Sequence, residues 1–400
     1  MTWRGAVALD NVYSLDCVRF RSRILSIGDR PRGGDTVVDL AGASVLPGLV
    51  NAHDHLELNH YGRLRFRDRY ENAADWIADM RPRLSQDQSI RRARAWPLAE
   101  RHFAGALKNL LAGVTTVAHH NPYYRELRRG MPIRVVDRYG WAHSFALEHE
   151  PAGARGEPGG CVQDRWRHTP ADRPFIVHLA EGIDDAARAE LARLEAEGCL
   201  APNTVLVHGV ALDRRELQRV ATSGAGLVWC PASNLFLLGR TARVRDFFAS
   251  SADRQPPRLA LGTDSRLTGA RDLLDELRMA REAERVSPEE LLAMVTVNAA
   301  AVLRLPDAGR LSVGLPADFV VLPTRGAHAT SLVEATRATV VLVVAGGRPL
   351  IGDLALLPAF RSRGVASRSL IVDGVEKLAD ARLVRRIAEC PIAEPGVSAA

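Results

Sequence analysis

From residue 174 onward, short apolar runs alternate with amphipathic stretches. Residues 175–179, 204–208, 226–230 and 259–264 are apolar, while 184–197, 213–222, 244–249 and 271–285 repeat apolar positions at helical spacing. Strands without a polar face are buried on both sides, and strand–helix alternation indicates a parallel sheet. Upstream, a helix over 98–112 stops at Gly113 and leads into a strand over 114–118; residues 133–137 and 140–147 supply a further strand. An apolar run over 43–50 ends at His53 and His55 and reads as one strand. The strand count approaches eight, which favours a (β/α)8 TIM barrel over an open sheet.

The two ends of the chain have a different texture. Residues 4–46 hold short apolar stretches broken by Gly, Pro and Asp, and 309–322, 339–344 and 346–351 return to the same pattern. Such runs read as small strands between turns. The predicted architecture is α/β: a barrel over 47–305 inserted into a small β-sandwich domain built from residues 1–46 and 306–358. Ser287 and Pro288 open a helix predicted to run to about residue 305. Residues 359–400 read as an arginine-rich tail with a helix near 379–389. The arginine-rich, aromatic segment 56–98 is long for a loop and reads as a functional segment or lid, and 153–174 as a Gly/Pro/Arg-rich connection.

Several polar side chains fall where these strands end. His53 and His55 are two apart, so an extended backbone presents both imidazoles on one face. His178, His208 and Asp264 stand at the ends of three other strands. In a barrel those ends converge on the active face. A lone strand-end histidine is more often a hydrogen-bonded packing residue. Several of them on one barrel would each need a separate buried partner, and imidazole and carboxylate ligands at this spacing suit Zn2+ or Fe2+.

Composition narrows the class. The 400-residue chain carries a formal charge of +6, and nearly all of its positive charge is arginine, with Lys108 and Lys377 its only lysines. Arginines and acids are interspersed, without the basic stripe and interleaved aromatics that nucleic acid requires. No apolar run reaches transmembrane length and no signal-peptide hydrophobic region opens the chain. Five scattered cysteines without a Cys-x-x-Cys pair fit reduced thiols. The expected setting is cytoplasmic, with a small-molecule substrate, no nucleic acid, no membrane and a homodimer as the oligomeric expectation.

Pro47-Gly48-Leu49-Val50-Asn51-Ala52-His53-Asp54-His55-Leu56 resembles the metal-binding signature of the amidohydrolase superfamily. His178-Leu179-Ala180-Glu181, His208-Gly209-Val210, Cys230-Pro231-Ala232-Ser233-Asn234 and Gly262-Thr263-Asp264-Ser265 are similar to blocks of its aminohydrolase branch, which holds cytosine and guanine deaminases and triazine hydrolases. The likeness is good over about 36–60 and 174–325 and poor over 60–173 beyond the 113–116 strand. It implies a single divalent ion, Zn2+ first and Fe2+ as the alternative, held by His53, His55, His178 and Asp264. Neither lysine is placed to bridge two metals; Glu148 is the candidate carboxylate bridge for a second ion. The implied chemistry is attack of metal-activated hydroxide on an sp2 carbon. Asp264 takes the water proton, Glu181 protonates a ring or imine nitrogen and then the leaving amine, and His208 hydrogen-bonds the water or the developing oxyanion. Asn234 positions substrate or orders its loop. His120, His143, Arg65 and Arg67 are candidate substrate contacts, the arginines for an anionic or carbonyl-bearing substituent. The implied reaction is hydrolysis of a non-peptide C–N bond, as deamination of a cyclic amidine or aminated heterocycle. Hydrolysis of a lactam, or loss of a non-ammonia group, is the runner-up, and a non-catalytic barrel homologue the remote alternative.

Overall fold

The computed structural model describes residues 6–12, 15–148, 160–250 and 258–400; the connection read over 153–174 lies partly outside them. Leu49–Asp54, Val114–His119 and Arg134–Val135 form a three-stranded parallel sheet. Gly140–Ala142, Phe175–Leu179, Thr204–His208, Gly226–Trp229 and Leu259–Leu261 form a five-stranded one, paired in chain order. The last strand returns to the first. Thr263 N donates to His53 O at 2.9 Å, and His55 N donates to Asp264 O at 3.0 Å. Gly262 permits this approach, because a Cβ there would lie 2.7 Å from the Cβ of His53.

Alternation along these strands explains why they read as uniformly apolar. Val50, Ala52, Ile176, Val205, Val207, Val228 and Ala260 pack together on one face. Their neighbours Leu49, Phe175, Val177, Leu206, Leu227, Leu259 and Leu261 pack in a separate cluster with the helices. Both faces are therefore buried. Helices over Asp185–Ala196 and Arg214–Ser223 separate the strands, and Leu273–Glu284 follows the last of them. Asp213 and Glu216 form a capping box that fixes the start of one of them. The arrangement is a TIM-barrel-type fold with an additional β-domain.

That additional part contains a four-stranded sheet from Val7–Val12, Asp16–Phe20, Ile24–Ile27 and Thr36–Asp39. A seven-stranded sheet is drawn from Ser44–Pro47 and from 319–399. Val7, Phe20, Val45, Phe319, Val344 and Phe360 share one apolar cluster between them. The rings of Phe20 and Phe319 meet edge to face at 5.0 Å.

Four expectations are corrected. The run 43–50 is two strands, not one. It breaks at Gly48, whose N donates to Asp318 O, while Leu49 N donates to Gly113 O, so the chain changes sheet there. A Cβ at Gly48 would sit 2.2 Å from Thr115 Oγ1. The strand expected over 133–147 is likewise two short ones, Arg134–Val135 and Gly140–Ala142. The helix expected over 288–305 is two, Pro288–Met294 and Val297–Val302, because Thr296 leaves helical backbone at φ −134° and ψ −101°. Residues 359–400 are not a tail. Ser367–Val372 and Val375–Asp380 form a hairpin within the seven-stranded sheet, turning at Asp373 and Gly374, both at positive φ. Glu394 is buried on Arg266 and Arg337.

Candidate functional site

The strand Leu49–Asp54 aims His53 into the site from a fully buried position, and His55 follows one residue beyond its end. What holds this turn lies underneath it. Asp54, between the two histidines, is 0 % exposed and pairs with Lys108 Nζ at 2.9 Å. It also accepts from Asn59, Asn109, Asn51 and Thr263. Lys108 reaches it from the helix Leu98–Leu111 and donates to Asn59 Oδ1 at 2.7 Å.

Above this base, Nε2 atoms converge. His178 Nε2 lies 3.3 Å from both His53 Nε2 and His55 Nε2. Asp264 Oδ1 lies 3.7 Å from the first of these two and 3.6 Å from the second. His120 belongs to the same group, its ligand atom and those of His53, His55 and His178 all lying within 4.8 Å of one another. Four ligands about 2.0–2.1 Å from a tetrahedral ion stand roughly 3.3 Å apart, so donors at this spacing suit a divalent cation. The tautomers suit it. His178 Nδ1 donates to the backbone oxygen of His143 at 2.9 Å, which leaves the Nε2 lone pair free. Burial lowers the pKa of His178, His53 and His55, that of His55 to about 3, so all three imidazoles are neutral. Burial raises the pKa of Asp264, but the imidazoles of His53, His55 and His208 packed around it outweigh that and hold the carboxyl well below its usual range. Ser233 and Thr268 donate to its other oxygen at 2.7 and 2.6 Å. Asp264 and His208 both sit at positive φ, +54° and +77°, strained backbone of the kind that collects at functional sites.

A cavity of about 440 Å³ opens over this centre. Glu181 lines it, and burial raises its pKa to about 7 despite His208, whose Nε2 is 3.5 Å from Glu181 Oε1. His208 Nδ1 donates to Asn234 Oδ1 at 2.8 Å. Neutral His208 therefore presents a lone pair at Nε2, and the donating role expected for it belongs to the imidazolium form.

The other expected contacts separate. His143 lines the cavity. His120 does not: it is fully buried, with Nε2 donating to Ala142 O at 2.9 Å, and its ring packs on His178 at 4.2 Å. Asn234 touches His208, not the cavity. Arg65 and Arg67 are corrected outright. Arg65 donates to Phe236 O and lies over the Phe236 ring, and Arg67 pairs with Asp79 at 2.7 Å on the surface. Each guanidinium has found a nearer acceptor. Glu148 is also excluded as a metal bridge, because its carboxylate pairs with Arg193 and accepts from Val162 N.

Sequence reasoning missed Glu57, Asn121, Trp76, Ile77, Leu84 and Glu190, all of which line the cavity. Glu57 gave no periodic signal, because it lies on the short 3-10 turn Leu56–Leu58 beyond the strand end. Glu57, His102 and His119 form a second cluster, with ligand atoms all within 4.8 Å of one another.

Residues 168–350 match the amidohydrolase family. The chain is 28 % identical to a 5-methylthioadenosine/S-adenosylhomocysteine deaminase of Halobacterium salinarum, over 85 % of this chain and 88 % of the relative. It superposes on a triazine hydrolase variant with a TM-score of 0.69 at 19 % identity, covering 90 % of this chain and 99 % of the other. It also superposes on an adenosine deaminase of Xanthomonas campestris with bound zinc, with a TM-score of 0.62 at 19 % identity, over 90 % and 97 % of the two chains.

Proposed function

We propose that this chain, a member of the amidohydrolase family, is a metal-dependent hydrolase that deaminates a small cyclic amidine or aminated heterocycle. The observation that carries the reading is Glu181, a carboxyl enclosed in the cavity beside the histidine cluster, 3.5 Å from His208 and with its own pKa raised by burial to about 7. A simple amide hydrolase has less need of such an acid than an enzyme whose target nitrogen must be protonated. The deaminase relative supports the same reaction class.

His53, His55, His178 and Asp264 would hold one divalent ion, Zn2+ ahead of Fe2+. Such an ion acts as a Lewis acid and makes water acidic enough to ionise near neutral pH. The chain's own groups do the rest. Asp264, held by Ser233 and Thr268, takes the proton of the attacking water. Glu181 gives its proton to the substrate nitrogen and then serves the leaving amine. The imidazolium form of His208, steadied by Asn234, donates to the developing oxygen. The reading includes a closed (β/α)8 barrel near 47–305, a β-sandwich made from both flanks, and a cytoplasmic location.

Ammonia release from aminated heterocycles, set against ring opening of lactams, tests the reaction. Ring opening without ammonia would remove the deamination reading. Protein purified without added metal should hold about one divalent ion per chain by elemental analysis. A second tightly held equivalent that disappears in His102→Ala would instead assign an ion to the Glu57 cluster. Because Glu181 must be protonated to donate, and burial lifts its pKa from 4.5 to about 7, kcat/KM should fall as pH rises through about 7. A profile flat from pH 6 to 9 would remove Glu181 as the acid.

A further inference from the structure

We infer that the substrate enters this cavity uncharged or cationic at its far end, and that the same ring carrying a carboxylate or phosphate there is rejected. The inference rests on the deamination reading and deepens it.

The ionisable side chains of the cavity other than histidine are all acidic. Glu57, Glu181, Glu190 and Asp264 line it, the three glutamates with pKa values raised by burial to about 7, and no lysine or arginine is among the described lining residues. The arginines on the adjoining segment are engaged elsewhere. Arg63 Nε donates to Gly269 O at 2.7 Å and Arg65 Nη1 to Phe236 O at 2.9 Å, both guanidiniums lie over Phe236, and Arg67 is bound to Asp79. Three of the neutral donors are also committed. Asn72 Nδ2 donates to Asp184, Asn121 Nδ2 donates to Glu57, and Thr268 Oγ1 donates to Asp264. An anionic substituent would lose its water, face carboxyl oxygens and find few donors in return. An ammonium or hydroxyl substituent meets the opposite situation, with acceptors in excess.

The remaining wall is apolar. Trp76, Ile77 and Leu84 come from the helix Ala73–Gln86, and Leu237 and Leu267 from across the cavity. Such a surface suits an aromatic ring or an alkyl substituent. Cavities that leave polar groups unpaired against the wrong ligand discriminate most strongly.

The test compares one ring with three substituents: 5'-deoxyadenosine, 5'-amino-5'-deoxyadenosine and adenosine 5'-carboxylic acid, beside diaminotriazines bearing alkyl, aminoalkyl and carboxyalkyl chains. Ammonia release by the metal-loaded full chain gives kcat/KM for each. On whichever ring is turned over, the carboxylate should fall roughly a hundredfold or more below the alkyl compound, mainly through KM, and the amine should equal or exceed it. A carboxylate turned over as well as the alkyl compound overturns this inference and leaves deamination standing. No ammonia from any compound overturns both. Glu57→Gln and Glu190→Gln should each narrow the alkyl-to-carboxylate ratio about tenfold; an unchanged ratio in both overturns the assignment of rejection to these carboxyls.

Discussion

Glu181→Gln is expected to keep its metal and its fold and to lose about 10³-fold in kcat, within the 10²–10⁴-fold usual for a positioned proton donor. The amide fills the same space beside His208 but cannot give up a proton to the substrate nitrogen. KM should change little, because the side chain acts on the transition state. His53→Ala is the contrasting variant. It removes a nitrogen 3.3 Å from His178 Nε2, so metal content and activity should vanish together. Elemental analysis and steady-state kinetics on the two proteins read these outcomes. Full activity in Glu181→Gln would take the acid away and turn the reaction toward amide hydrolysis.

Lys108→Met should cost about 3–5 kcal/mol of stability, the usual consequence of leaving one member of a buried ion pair alone. Both Lys108 and Asp54 are 0 % exposed. Burial lowers the Lys108 pKa and Asp54 opposes that shift, so each member of the pair depends on the other. Without the ammonium, Asp54 keeps its amide and hydroxyl donors but no compensating charge. Since Asp54 stands between His53 and His55, metal affinity should fall as well. The denaturant midpoint and the metal content measure the two effects separately. An unchanged midpoint would show that the amide donors alone satisfy Asp54.

The proposed metal-binding residues could be named from the chain because strand ends of a parallel barrel gather on one face. His53, His55, His178 and Asp264 needed only a correct strand assignment, and apolar runs such as 175–179 and 204–208 give that plainly. Side chains that recognise a ligand's far end follow no such rule. Arg65 and Arg67 are in a suggestive segment, yet whether an arginine turns inward depends on which carbonyl or carboxylate lies closer, here Phe236 O and Asp79. Trp76 and Leu84 reach the cavity because a whole helix is laid over it, a placement set by tertiary packing. The hairpin at 367–380 did carry a local signal, an Asp-Gly pair between apolar alternations at Asp373 and Gly374, which the arginine content of the region obscured. The break at Thr296 carried only a weak signal, the β-branched run Val295-Thr296-Val297 inside an otherwise helical pattern.

Glu394 has a consequence for the order of synthesis. Its carboxylate is shared by Arg266, two residues from Asp264, and by Arg337, which also binds Asp272 at 2.6 Å. On the ribosome, the barrel strands emerge long before residue 394 does. At about 5–20 residues per second, the nascent chain must hold the Arg266 guanidinium in a forming interior for seconds before its counter-charge arrives. Catalytic competence is therefore expected only once residue 394 has emerged, and ribosome-stalled chains ending at residue 390 should be inactive although every proposed metal ligand is already outside the tunnel.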